Sequence, residues 1–269
     1  MVPTSEHRPT GAPPAWWRII LVGAIAGFTS GLFGVGGGIV MVPALTLLAG
    51  YHHKLATGTS LTAIVPISVA GAGGYATAGE IDGAVAALIA TGAVVGAVLG
   101  TRYLQRINAP TLQLVFAGFM VVTAVRMVAG EDVGGDGIGP LTVATVVGLV
   151  VLGLAAGMLA GLLGVGGGII IVPALTLLFG VPLVLAKGTS LAVIVPTAIM
   201  GTIRNRSSGL TALRPGVTVG VAGMLSALAA SQLSLGLDPT VSAALFALLL
   251  VAVAVHLART ALVARRAPT

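Results

Sequence analysis

Residues 31–50 read Gly31-Leu-Phe-Gly-Val-Gly-Gly-Gly-Ile-Val-Met-Val-Pro-Ala-Leu-Thr-Leu-Leu-Ala-Gly50, and residues 161–180 read Gly161-Leu-Leu-Gly-Val-Gly-Gly-Gly-Ile-Ile-Ile-Val-Pro-Ala-Leu-Thr-Leu-Leu-Phe-Gly180. Of the 20 aligned positions 16 are identical, at an offset of 130. The same offset carries Gly58-Thr59-Ser60-Leu61 onto Gly188-Thr189-Ser190-Leu191, Pro66 onto Pro196, Gly79 onto Gly209 and Phe116 onto Phe246. The chain is therefore two copies of one half. The reading predicts a tail over 1–18, a first repeat over 19–129, an acidic glycine-rich linker over 130–140, a second repeat over 141–260 and a basic tail over 261–269.

Composition says where such a chain folds. Hydrophobic residues make up 57% of its 269 positions and charged residues only 7%, with a mean hydropathy of +1.10. A soluble domain carries about 25% charged residues to cover its surface. Several apolar runs approach the roughly 20 residues that a helix needs to cross a bilayer. Transmembrane strands would instead alternate over segments of about ten residues. An all-α polytopic membrane protein follows, with the lipid bilayer as its solvent.

The net charge of +6 does not indicate nucleic acid, because Lys and Arg sit at the ends of apolar runs, where the positive-inside rule places them. Without cysteine, and with His7, His52, His53 and His256 lacking carboxylates at ligand spacing, no metal site is expected. No cofactor motif is present: the Gly-x-Gly-Gly-Gly string lacks the βαβ context and ribose-binding acid of a dinucleotide site. Residues 1–18 lack the early apolar core of a signal peptide. They read as a polar tail ending in an interfacial anchor of Trp16, Trp17 and Arg18.

Each half holds five apolar stretches, approximately 19–33, 39–49, 59–78, 84–102 and 111–128 and their counterparts. The first two are each short for a roughly 30 Å core, and Gly34–Gly38 breaks them. Either they form one broken crossing, or a hairpin that returns to its side of entry. Charge decides. With a hairpin and a cytoplasmic N-terminus, Arg8, Arg18, Lys54, Arg102, Arg106, Arg204, Arg206, Arg214, Arg259, Arg265 and Arg266 fall inside. Glu80, Asp82, Glu131, Asp132, Asp136 and Asp238 fall outside, and only Lys187 and Arg126 break the pattern. Each repeat then has a glycine-broken hairpin of short helices plus three membrane-crossing helices. That odd number of crossings makes the second repeat inverted relative to the first, a plan that places substrate near the midplane.

The glycine breaks are the candidate sites. Irregular backbone at membrane depth survives only where protein or a water-filled cavity satisfies it. A short helix starting there aims unpaired N–H groups and the positive end of its dipole at that space, which suits an anion. The candidate ligand residues are Gly34, Gly36, Gly37, Gly38 and Pro43, and Gly164, Gly166, Gly167, Gly168 and Pro173. Thr59 and Ser60, with Thr189 and Ser190, are expected at capping positions of the next helices, able to donate to the same ligand. Lys187 breaks the charge pattern and replaces Thr57 of the first half, which makes it a further candidate contact. Against this stands close helix packing, the ordinary use of glycine in membrane helices. No carboxylate lies inside an apolar run, so a relay for a coupled proton is not evident. No His or acid stands at depth to activate Ser60 or Ser190, so an enzyme is not expected.

These motifs resemble the TauE/SafE family of sulfite and sulfonate membrane transporters. The resemblance lies in Gly34–Gly38 with Pro43, in Ala56-Thr57-Gly58-Thr59-Ser60, and in their repetition as Gly164–Gly168 with Pro173 and Ala186-Lys187-Gly188-Thr189-Ser190. It covers roughly residues 19 to 258. It implies transport of sulfite, a sulfonate or a related organosulfur anion across the cytoplasmic (inner) membrane of a prokaryote. The residues themselves speak only for a small anionic substrate. They leave open another oxyanion or a carboxylate, a scaffold that moves nothing, and the oligomeric state.

Overall fold

The computed structural model describes residues 16–103, 109–129, 137–139, 141–164, 166–207, 209 and 211–266. Among them are ten helices and no strand: α1 Trp16–Phe33, α2 Gly38–Ala49, α3 His53–Ala76, α4 Gly83–Tyr103, α5 Ala109–Val128, α6 Val143–Leu163, α7 Gly168–Phe179, α8 Leu183–Ser207, α9 Leu213–Gly236 and α10 Pro239–Arg266. The starts of α2 to α5 recur 130 residues later as the starts of α7 to α10. The repeat read in the sequence is thus a repeat of elements.

Six helices (α1, α3, α6, α8, α9 and α10) are long and apolar enough to cross a membrane. This revises one expectation. The first stretch of each half is not short: α1 has 18 residues and α6 has 21, about 27 and 31 Å at 1.5 Å per residue. In α1 the extra length comes from Trp16, Trp17 and Arg18, which wind as the first turn. The Arg18 guanidinium lies 5.4 Å from the Trp17 ring centre, and both indoles are exposed. Helices α2 and α7, of 12 residues each, about 18 Å, are the shortest and too short to cross.

Glycine contacts give the directions of the helices. Gly23, Gly27 and Gly31 of α1 meet Val219, Gly223 and Ala227 of α9 in rising order, so the two run parallel. Gly216, Gly220 and Gly223 of α9 meet Thr62, Ala63 and Ile67 of α3 in rising order too. Helices α1 and α3 are therefore parallel, and α2 carries the chain back toward the end where α1 began, as a hairpin requires. The counterpart of the α1–α9 pair is the α6–α4 pair. There Gly92 and Gly96 meet Val150 and Leu154, while Gly153 and Gly157 meet Ile89 and Ala93. Without Cβ atoms these backbones approach closely, which gives the dispersion contacts that hold helices together in lipid.

Each repeat thus packs on the other. Equivalent helices also meet. Gly188, Leu191 and Gly201 of α8 lie against Tyr75, Gly71 and Leu61 of α3, in opposite order, so α3 and α8 cross antiparallel. Helices α5 and α10, also equivalent, pack together, with Ala124, Val125 and Val128 beside Ala244, Ala247 and Val251.

Charge separates along this axis. One end holds Arg18, Lys54 and Arg214 near the starts of α1, α3 and α9, and Arg204, Arg206 and Arg259 near the ends of α8 and α10. The other end carries Glu80, Asp82 and Asp238 in the turns before α4 and α10, with Arg126 near the end of α5. Arg8, Arg106, Glu131, Asp132 and Asp136 lie outside the described residues, as do most of the linker and the side chains of Arg102, Arg265 and Arg266.

Candidate functional site

The two glycine breaks have one conformation. Gly34, Gly36 and Gly37 have φ of 73°, 83° and 73°, and Gly164, Gly166 and Gly167 have 68°, 82° and 82°. Three left-handed residues in four reverse the chain at a cost that only glycine avoids. Gly37 and Gly167 then stand as N-caps of α2 and α7 with no side-chain cap bond.

Both breaks sit at the middle of the molecule. Gly36 and Gly166 each lie against Ile64 and Ile194, the central residues of α3 and α8 and partners at the 130-residue offset. Gly37 packs on the Ala26 carbonyl halfway along α1, and Gly167 on that of Ala156 in α6. Glycines 34, 36, 37, 38, 164, 166, 167 and 168 are all buried.

Each break is held by the opposite repeat. Ser190 Oγ donates to the Gly34 carbonyl at 2.9 Å, and Ser60 Oγ donates to the Gly164 carbonyl at 2.8 Å. A Cβ on Gly34 would fall 2.6 Å from Lys187 Cα, and one on Gly164 would fall 2.8 Å from Thr57 Cα. Gly168 abuts the Gly34 carbonyl and Ser190 Oγ. Gly34, Gly168, Lys187 and Ser190 therefore form one cluster, and Gly164, Ser60 and Thr57 its counterpart.

Thr59 and Thr189 stand apart from the glycines. Thr59 Oγ1 accepts from the Ala212 amide at 3.1 Å, and Thr189 Oγ1 accepts from the Asp82 amide at 3.0 Å. This second reciprocal pair ties α9 to α3 and α4 to α8. The expected capping role does not appear for Thr59, Ser60, Thr189 or Ser190, because α3 and α8 begin at His53 and Leu183, six residues before the threonines. Their hydroxyls lie inside helices and fasten neighbouring chain.

The amides carry the chemistry. The N–H groups of Gly36, Gly37, Gly38 and Ile39 find no hydrogen-bond acceptor among the described residues, nor do those of Gly166, Gly167, Gly168 and Ile169. A buried backbone donor left unpaired costs about 1–3 kcal/mol. Two such sets stand at the α3–α8 crossing, at the positive ends of α2 and α7. Pro43 and Pro173 lie at the sixth residue of these helices. There the carbonyls of Ile39 and Ile169 lose their usual partners.

The surroundings of the two breaks differ. Gly38 and Ile39 open on a groove of about 370 Å³ that runs beside Pro43, Thr46, Ile169, His256 and Thr260. Beside Gly167 the pocket is about 20 Å³, lined by Phe116, Met120 and Leu257, although Ile169 also borders the larger groove. Correspondingly, Gly168 to Thr176 of α7 are all buried, Pro173 included, whereas Pro43 of α2 is half-buried.

Lys187 is 1% exposed, the one charged side chain among the buried described residues. Its Nζ donates to Ser234 Oγ at 3.1 Å and Ser242 Oγ at 2.7 Å. Ser234 passes its own proton to the Leu32 carbonyl at 3.1 Å, and Tyr75 Oη donates to the Gly31 carbonyl at 2.9 Å. The sequence reading missed Tyr75, Ser234 and Ser242. A signal was available, since their partners at the 130-residue offset are Asn205, Leu104 and Leu112. The cluster marks where the repeats diverge.

The chain is 29% identical over 187 residues to the probable membrane transporter protein YdhB of Bacillus subtilis, covering 69% of this chain and 76% of that one. It is 26% identical over 216 residues to the probable membrane transporter protein YunE of the same organism, covering 71% and 78%. A probable membrane transporter protein of Haemophilus influenzae is 32% identical over 167 residues, covering 58% and 61%. No solved structure gives a significant match. The fold and these relatives make the chain a multi-pass membrane transporter. The model of the sulfite exporter TauE/SafE family matches residues 2–127 and 149–268, and the chain belongs to that family.

Proposed function

We propose that the protein carries a small oxyanion, sulfite or an organic sulfonate, across the cytoplasmic membrane of a prokaryote. The anion is held between the N-termini of α2 and α7. The observation that carries this reading is the pair of amide sets, Gly36–Ile39 and Gly166–Ile169, which find no acceptor among the described residues at the middle of the molecule. Backbone N–H groups at a helix start bind an anion without a fixed cation, and discontinuous helices serve carriers in this way. The description of the family as sulfite exporters supports the choice of sulfur oxyanions. The relatives' names, all transporters, speak for transport over catalysis.

In this reading the repeats are inverted across the membrane plane and the basic end faces the cytoplasm, with both termini there. The antiparallel crossing of α3 with α8 supports the inversion. Access to the amides of α2 runs along the groove past Thr46, His256 and Thr260. Pairs of hydrogen bonds that swap between repeats, Ser60 with Ser190 and Thr59 with Thr189, keep the two breaks in register.

The test removes one donor, together with a half-buried side chain that lines the groove. Ile39→Pro deletes an amide N–H at the second position of α2, where the fixed φ of proline is tolerated. Reconstituted wild-type protein is expected to move radiolabelled sulfite and methanesulfonate. Ile39→Pro is expected to reduce that flux about 10- to 100-fold, the loss of one hydrogen bond to a charged group, with its unfolding midpoint retained. A variant of wild-type flux overturns the assignment. Acetate in the same panel tests a carboxylate, which would meet the same donors.

A further inference from the structure

Lys187 is an unbalanced charge. Helix α8 places it at its fifth residue, about a turn below the acidic end, where Gly188 packs on the Glu80 carbonyl and Thr189 holds the Asp82 amide. No carboxylate lies within ion-pair reach of its Nζ among the described residues, and both its partners are neutral hydroxyls. An ammonium group has three N–H donors. Two go to Ser234 and Ser242, and the third has no acceptor among the described residues. Ser242 Oγ accepts from Lys187, and its own hydroxyl proton has no acceptor either. Ser242 is 2% exposed. Two buried donors, on atoms 2.7 Å apart, are left over beside the only interior cation described.

Ser234 and Tyr75 fix this arrangement without filling it. Each spends its proton on the last turn of α1, at the Leu32 and Gly31 carbonyls. They hold the site against the negative end of that helix dipole. The same position of the other repeat has Thr57, whose Oγ1 is buried and unpartnered, and no cation. The charge is therefore present once per chain, on the acidic side of the crossing.

We propose that Lys187 and Ser242, positioned by Ser234 and Tyr75, form a second anion subsite that selects a single negative charge. This rests on the reading of the chain as an anion carrier. One ammonium is neutralised by one negative charge. A dianion brought to the same place leaves a full charge uncompensated in a low-dielectric interior, which is costly. The ligand class is a singly charged oxyanion, a sulfonate or the hydrogensulfite form of sulfite, with one oxygen taking the free N–H of Lys187 and the hydroxyl of Ser242. Because the cluster lies between the midplane and the acidic end, it serves as the station through which the anion passes on that side only.

The experiment measures binding by calorimetry to detergent-purified full-length protein, with methanesulfonate and sulfate as a matched monoanion and dianion. Wild-type protein is expected to bind methanesulfonate at least about tenfold more tightly than sulfate. Lys187→Met is expected to weaken methanesulfonate binding about 10- to 100-fold, the factor for a charge-assisted hydrogen bond. Ser242→Ala, which keeps the cation, is expected to weaken it several-fold. Unliganded unfolding midpoints identify any variant that fails to fold, and Ser242→Ala then carries the test alone. The proposal is overturned if folded Lys187→Met, or failing that Ser242→Ala, binds methanesulfonate as wild type does, or if wild-type protein binds sulfate as tightly or binds neither ion. Anion flux through wild-type proteoliposomes that persists unchanged in Lys187→Met would remove the subsite and leave the carrier reading standing. Absence of any wild-type flux would remove the carrier reading itself.

Discussion

At the scale of the residue, glycine does two separable jobs in this molecule. Gly34 combines a φ of 73° with a neighbour, Lys187 Cα, that a Cβ would approach to 2.6 Å. Gly34→Ala is expected to lose about 2–4 kcal/mol of stability, because strain and overlap act together, visible as a large fall in the thermal unfolding midpoint. Gly73, exposed on α3 with nothing within 4 Å of its Cβ position, is the control, and Gly73→Ala should be neutral or slightly stabilising. A similar drop for both would contradict the local packing. Ser60→Ala and Ser190→Ala each remove the hydroxyl that holds the opposite break, the Ser60 hydroxyl being shared between the Gly164 and Thr57 carbonyls. Each is expected to cost about 1 kcal/mol, read as a fall in the unfolding midpoint. No shift for either variant would contradict the exchange of contacts between repeats.

At the scale of the element, α2 and α7 are the same helix in two environments. Their sequences are close to identical, yet α7 is buried from Gly168 to Thr176 while α2 lies beside an open groove. Amide hydrogen exchange is therefore expected to be faster along α2 than along α7, since exchange reports local packing. Equal protection would contradict the asymmetry. The element scale also shows what a sequence can disclose. The offset of 130 located the glycine breaks and the hairpin, because a run of glycine must interrupt a helix. The length of α1 was less legible, because Trp16, Trp17 and Arg18 read as an anchor outside a helix and serve equally well inside its first turn. The capping role expected of Thr59 and Ser60 failed for a physical reason. His53 to Gly58 lack the apolar pattern that announces a membrane helix, so the start of α3 went unseen. Lys187 stood out by charge, but Tyr75, Ser234 and Ser242 come to it from α3, α9 and α10, and no local pattern in the sequence joins them.

At the scale of the whole molecule, the arrangement is two interlocked halves. Each supplies the helix that packs the other's glycine stripe and the serine that holds the other's break. Inversion is tested by labelling, which the absence of native cysteine makes simple. Thr77 and Ser207 are exposed and equivalent at the 130-residue offset. Thr77→Cys and Ser207→Cys are expected to react with an impermeant thiol reagent from opposite faces of right-side-out vesicles. Reaction from one face would make the repeats parallel. The central claim, an anion held mid-bilayer by the backbone of two helix starts, is tested most directly by locating an anion. A structure with selenite, the heavier analogue of sulfite, is expected to show an anomalous peak within hydrogen-bond reach of the N–H groups of Gly36–Ile39 or Gly166–Ile169. A fully occupied selenite peak elsewhere, with both glycine breaks empty, would contradict it.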